Sequence, residues 1–160
     1  MTFQHKYPDS RNCKSADQGT EFQDLVVEKC SRHFNLHIQC YSSERYQRTK
    51  GESVDGTEIK RDNHCTRTGR LSIEIAEKTH ERLLYWIPSG IDSATMSRVY
   101  IQGNTTRFWV FESDTLRNYW VIEDPEIHEN TPTIRSFYIT IPWANRHAKH
   151  IWSIDMKGAT

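Results

Sequence analysis

Residues 51–79 read GESVDGTEIKRDNHCTRTGRLSIEIAEKT, and the alternation inside this stretch decides the fold. Over 57–62, Glu58, Lys60 and Asp62 share one face of a strand, because successive side chains of a strand point to opposite sides. Over 71–77, Leu71, Ile73 and Ile75 take one face, and Glu74 and Ala76 take the other, in line with Lys78. The connection between the two runs is polar and contains Gly69, which predicts an antiparallel hairpin with a longer loop. Such a hairpin aligns the two polar faces. It would gather the carboxylates of Glu58, Asp62 and Glu74 around a lysine.

Clustered carboxylates repel one another unless a cation compensates. The hard oxygen donors suit Mg²⁺ or Mn²⁺. A nearby ammonium can stabilise charge building on a phosphate, so this set suffices for metal-assisted phosphodiester hydrolysis. The competing reading is plainer: alternating charge is also the pattern of a solvated sheet face with Lys–Glu cross-strand pairs.

Working outward, Thr20 with Gln23 three residues on forms a capping-box pattern. The apolar spacing of Phe22, Leu25, Val26, Cys30 and Phe34 then predicts an amphipathic helix over 21–34. A short strand is expected over 36–41, with Leu36, Ile38 and Cys40 on one face, followed by a polar stretch over 42–55. Pro88-Ser89-Gly90 marks a loop. Residues 98–102 and 107–111 form a second expected hairpin around Gly103-Asn104. Asp114 can cap a helix over 115–120, and 123–132 is an acidic, proline-bounded loop. A strand is expected over 135–141, and Pro142 opens a short helix over 143–151. This order of elements implies an α/β (α+β) domain with a mixed central β-sheet flanked by helices. The polar residues 1–19 are expected to be an irregular arm, and 20–160 a single domain.

Composition sets outer limits. The chain has 160 residues, with 21 basic and 21 acidic side chains and hence no formal net charge. It is not a simple polycation, but a nucleic-acid partner requires only a local basic surface. The longest apolar run, 83–87, is five residues, far below the roughly 20 of a membrane helix. The first residues lack a basic-then-apolar export signal. A cytoplasmic location without membrane contact is therefore expected. Cys13, Cys30, Cys40 and Cys65 show no zinc spacing and are expected to be reduced thiols. His147 and His150 lie three apart, but no third ligand is evident. Glu21 is read as a solvent-facing helical carboxylate, and the five tryptophans as packing residues.

The central stretch also resembles a group of small bacterial and phage proteins of the PD-(D/E)XK nuclease superfamily, which contains many type II restriction enzymes. The matching residues are Gly51-Glu52, Gly56, Glu58, Lys60, Asp62, Thr68-Gly69, Glu74, Glu77 and Lys78. The loop at Pro88-Ser89-Gly90 and the preceding helix resemble the group as well. The match covers about residues 40–90 and the rest in outline. The resemblance implies a restriction-endonuclease-like fold and Mg²⁺-dependent cleavage of double-stranded DNA by a homodimer, with no organic cofactor. It implies catalytic roles for Glu58, Lys60, Asp62, Glu74 and Lys78, with Glu58, Asp62 and Glu74 as metal ligands.

Two assignments fit. In one, Glu58-Ile59-Lys60 is the E-x-K element, partnered by Asp62, Glu74 or Glu52. In the other, Asp62 is the lone acid and Glu74-Ile75-Ala76 occupies the E-x-K position, with Lys78 or Lys60 supplying the missing ammonium. The literal match favours the first. Arg45, Arg48, Lys50, Arg61, Arg67 and Arg70 are candidates for phosphate contacts. A structure-selective nicking nuclease, or a DNA-binding module that has lost catalysis at Ala76, are the alternatives.

Overall fold

The computed structural model describes residues 10–40, 56–93 and 97–155, with side chains from Gly19 onward. Helix α1 (Ser10–Phe34) is followed by β1 (Thr57–Arg61), a one-turn helix α2 (Cys65–Thr68), β2 (Arg70–Glu77) and β3 (Ile87–Pro88). After a 3-10 turn at Gly90–Asp92 come β4 (Val99–Gly103), β5 (Arg107–Glu112), α3 (Ser113–Glu123), β6 (His128–Thr131), β7 (Ile134–Thr140), α4 (Ile141–His147) and β8 (His150–Ser153). The class is mixed α+β. The strands of the described residues divide into two sheets of four, in the orders β1-β4-β5-β8 and β3-β2-β7-β6.

The first sheet is mixed. Its edge strand β1 runs parallel to β4, with Glu58 beside Tyr100 and Lys60 beside Gln102, and β4, β5 and β8 are antiparallel. Alternation along these strands builds two cores. Ile59, Ile101, Phe108, Val110 and Trp152 face α1 and bury Phe22, Val26 and Cys30. Tyr100, Trp109 and Phe111 face the second sheet and meet Leu71, Ile73, Ile75, Phe137 and Ile139. Helices α3 and α4 add Leu116 and Ala144 to that second core. The first sheet is thus covered on both faces, which is why Thr57, Glu58 and Ile59 are all buried.

The expected hairpin between 57–62 and 71–77 does not form. Strand β1 pairs with β4, some forty residues on, and β2 pairs with β7 and briefly with β3. The local signal was a polar connection, but that connection folds into α2, closed by Gly69 at φ +70°. The apolar faces then decide the pairing. Ile59 turns to α1 while Leu71, Ile73 and Ile75 turn to the inter-sheet core, so the two strands belong to different layers.

Other expectations shift at their edges. Helix α1 begins at Ser10, so 10–19 of the expected irregular arm is helical; lengthening an existing helix costs far less than nucleating one. Residues 36–39 have no ladder and only Cys40 makes a bridge, yet Leu36, Ile38 and Cys40 do share the face toward α1. The hairpin around Gly103-Asn104 is present, held by the Asn104 carboxamide oxygen, which accepts from Thr106 N at 2.9 Å and Arg107 N at 3.1 Å. Strand β6 replaces part of the expected acidic loop, and β8 replaces the end of the last expected helix. Tyr41 and the stretch 42–55, with Glu52, Arg45, Arg48 and Lys50, lie outside the described residues.

Candidate functional site

Strand β2 has β7 on one side, but on the other, among the described residues, it has only β3, at Ala76 and Glu77. Its backbone between 70 and 75 would present unpaired groups there, a cost that buried structure does not tolerate. Side chains from the first sheet fill the gap. Ser72 N donates to Asp62 Oδ2 at 3.2 Å, the Gln102 amide donates to Ser72 O at 2.6 Å, and Glu74 N donates to the Tyr100 hydroxyl at 3.4 Å. From the other direction Ser89 N donates to Ile75 O at 3.0 Å. The edge of β2 is therefore met by side chains of β4 and by Asp62, just past β1, rather than by a ladder.

This approach brings the charged residues together. Lys60 Nζ lies 3.0 Å from Glu58 Oε1 and 3.4 Å from Glu74 Oε1, with side chains 26%, 10% and 12% exposed. Both carboxylates touch one nitrogen, so Lys60 bridges Glu58 and Glu74. The Ser89 hydroxyl donates to the same Glu74 oxygen. Gly90 presses on β2 at φ +56°, where a Cβ would collide with the Glu74 backbone carbonyl. Strand β2 also carries a bulge between Glu74 and Ala76, a device that re-aims side chains beside sites. The Tyr100 phenol is held protonated: burial, and then the Glu74 carboxylate, push it well above the ordinary tyrosine range.

Asp62 is placed differently from the expectation that it joins Glu58 and Glu74. It is four residues beyond Glu58 on the same face, about 13 Å along an extended strand. Its oxygens accept from His64 N at 3.0 Å, Ser72 N at 3.2 Å and the Gln102 amide at 3.1 Å. Lys78, expected to reach back to Glu74, instead sits over the Trp86 ring at 4.3 Å, with Arg135 on the same indole at 4.2 Å. Of the candidate set, Glu58, Lys60 and Glu74 meet, and Asp62 and Lys78 stand apart from them.

Among the described residues, no three His, Cys, Asp or Glu side chains group as a metal cage. The donor set at Glu58 and Glu74 still fits Mg²⁺, which keeps several waters and is commonly held by one or two carboxylates plus substrate phosphate. His147 and His150 are used elsewhere: their rings stack on Trp143 and Phe34, on two different elements. Cys30 and Cys65 are free thiols. Burial pushes the Cys30 thiol up to about 12 and the Cys65 thiol to about 11. Glu21 is exposed on α1.

Three residues of the site escaped the sequence reading in their roles. Tyr100 and Gln102 are on one face of β4, an alternation visible in the sequence but without a cue to the strand they would face. Ser89 was visible only as part of a loop. No family model, curated protein or solved structure matches the chain. No helix among the described residues is long and apolar enough to cross a membrane.

Proposed function

We propose that the protein is a metal-dependent endodeoxyribonuclease that hydrolyses phosphodiester bonds of double-stranded DNA, with a type II restriction endonuclease as the specific form and a homodimer as the working unit. The observation that carries this reading is the meeting of Glu58, Lys60 and Glu74, from two different sheets, at the side-chain-lined edge of β2. It supports the assignment in which Glu58-Ile59-Lys60 is the E-x-K element and Glu74 its partner acid. A restriction-endonuclease-like arrangement of the sheets belongs to the same proposal, as does a cytoplasmic location, which free thiols and a DNA substrate suit.

In this reading Glu58 and Glu74 would hold Mg²⁺, which would supply a Lewis acid and a water of lowered pKa. Lys60 sits on both carboxylates in the resting protein and would turn its ammonium to the scissile phosphate, where negative charge builds. Ser89 and Gly90 fix the Glu74 carboxylate, and Tyr100 fixes the backbone that carries it. Asp62 supports the strand edge instead of binding metal.

The test is cleavage of plasmid DNA by the purified chain in Mg²⁺ and in EDTA. Cleavage in Mg²⁺ alone, lost by at least about 100-fold in Glu58→Gln, is expected, since a positioned acid–base or ligand group contributes on that scale. Discrete fragments specify a restriction enzyme, and relaxed circles a nicking enzyme. DNA binding without cleavage under any divalent ion would establish a binding module instead.

A further inference from the structure

The geometry points to a phosphate-binding subsite next to the Glu58–Lys60–Glu74 centre, built by Arg67 and Arg70, that holds the neighbouring phosphate of the same DNA strand; this rests on the nuclease reading above. A cavity of about 290 Å³ opens beside Ser72, and its walls include Asp62, His64, Arg67, Arg70, Asn130 and Tyr138. Ser72 and Glu74 lie on the same face of β2 with no irregularity between them. Two residues of strand span about 7 Å, a step comparable with that between successive phosphates. An extended backbone running along this edge would thus meet Glu74 at one phosphate and the cavity at the next.

The charge of the cavity suits an anion. Arg67 and Arg70 are exposed, and among the described residues neither forms an ion pair. Arg67 leans toward the His64 ring at 3.5 Å, and the Arg70 guanidinium lies over Tyr138 at 4.1 Å. Among the described wall residues the one carboxylate, Asp62, is already met by three N–H donors, from His64, Ser72 and Gln102. Those donors hold its charge on the strand edge, while the two guanidinium groups are held by an imidazole and an aromatic face. A guanidinium over a ring keeps its N–H edge available for phosphate oxygens. This cavity also has mixed polar walls of Thr68, Asn130 and Tyr138, a lining suited to a hydrated sugar–phosphate backbone and poorly suited to an apolar ligand.

The experiment is duplex binding by the full chain in Ca²⁺, over about 50 to 200 mM salt, the range in which phosphate contacts weaken visibly. The double variant Arg67→Ala/Arg70→Ala should lower the slope of log affinity against log salt by about 0.9, the increment for the one phosphate the pair neutralises on B-DNA, and each single variant by part of that. Arg70→Lys, which keeps the charge and loses the planar stack, should retain the slope, and Arg32→Ala, at the end of α1, should leave it unchanged. A double variant with the wild-type slope, or an Arg70→Lys as defective as Arg70→Ala, would overturn the subsite. The two proposals fail separately. A wild type that cleaves while the double variant binds normally loses the subsite and keeps the nuclease. A wild type that binds with the Arg-dependent slope but never cleaves loses the nuclease and keeps the subsite. A wild type that does not bind DNA loses both.

Discussion

The two ends of strand β1 carry the same kind of side chain to the same edge of β2 and do different things there. At one end Glu58 and Lys60 meet Glu74, charge against charge, with the lysine about a quarter exposed and both carboxylates largely shielded from solvent. At the other end Asp62 meets backbone and amide N–H groups, from Ser72, His64 and Gln102. The difference lies in what β2 presents. At Glu74 it offers a carboxylate, so an ammonium is drawn in and the carboxylates stay close to one another. At Ser72 it offers an unpaired N–H, so a carboxylate takes the place of a missing strand. Repelling carboxylates around an exchangeable cation form a centre that can accept a metal. A carboxylate surrounded by donors forms a clamp, since hydrogen bonds to an ionised group are the stronger ones.

Four expected outcomes sharpen or break that contrast. The largest is Lys60→Met, which leaves Glu58 and Glu74 facing each other without their cation. Removing one partner of a buried pair costs about 3–5 kcal/mol, and the partial exposure here places the loss at the lower end, near ~3 kcal/mol. Urea unfolding in EDTA measures it. Added Mg²⁺ should restore much of the loss, because a divalent ion takes over the compensation that the ammonium supplied. An unfolding midpoint unaffected by either change would mean that the two carboxylates do not share a field.

Next comes Asp62→Ala. It strips acceptors from Ser72 N and the Gln102 amide, and a loss of about 2 kcal/mol is expected for hydrogen bonds to a charged group. Asp62→Asn, which keeps one acceptor, should lose less. If Asp62 is a clamp, Asp62→Asn should also retain metal-dependent cleavage within about tenfold, well short of the effect expected for a group that acts in the reaction. A loss matching that of Glu58→Gln would return Asp62 to the metal site.

Tyr100→Phe is a smaller perturbation. It removes the hydroxyl that meets Glu74 N at 3.4 Å, and about 0.5–1 kcal/mol is expected for a neutral hydrogen bond. The sharper readout is cleavage, which should fall further than stability if this bond positions Glu74. Equal small losses in both would reduce Tyr100 to a packing residue.

The last effect is absent at neutral pH and comes from the core under α1, away from both ends of β1. The Cys30 thiol is pushed up from 9.0 to about 12 by burial. Its raised folded value means that its contribution is fully present below pH 9 and is lost as pH rises from there toward 12, because the unfolded chain ionises first. Thermal melts from pH 8 to 10.5 should therefore decline, and Cys30→Ala should decline less steeply. A Cys30→Ala curve parallel to the wild type would assign the decline to other groups.

Much of this arrangement follows from local pattern. The alternation of 57–62 and 71–77 determined which side chains share a face. The helical spacing of Phe22, Val26 and Cys30 determined the buried face of α1, and the Gly103-Asn104 turn determined the β4–β5 hairpin. These are properties of three or four neighbouring residues, and the physics that sets them is local. Tertiary structure decided which strands lie beside one another. Strand β1 left its sequence neighbour for β4 because α1 and the second sheet each needed a different apolar face buried, and that competition involves residues dozens of positions apart. The same choice put Tyr100 and Gln102 against β2, separated Asp62 from Glu58 and Glu74, and sent Lys78 to Trp86. Residue chemistry was legible in the sequence because each side chain carries its own donors and charge. Its partners were not, because an unpaired strand edge exists only once the sheets have formed.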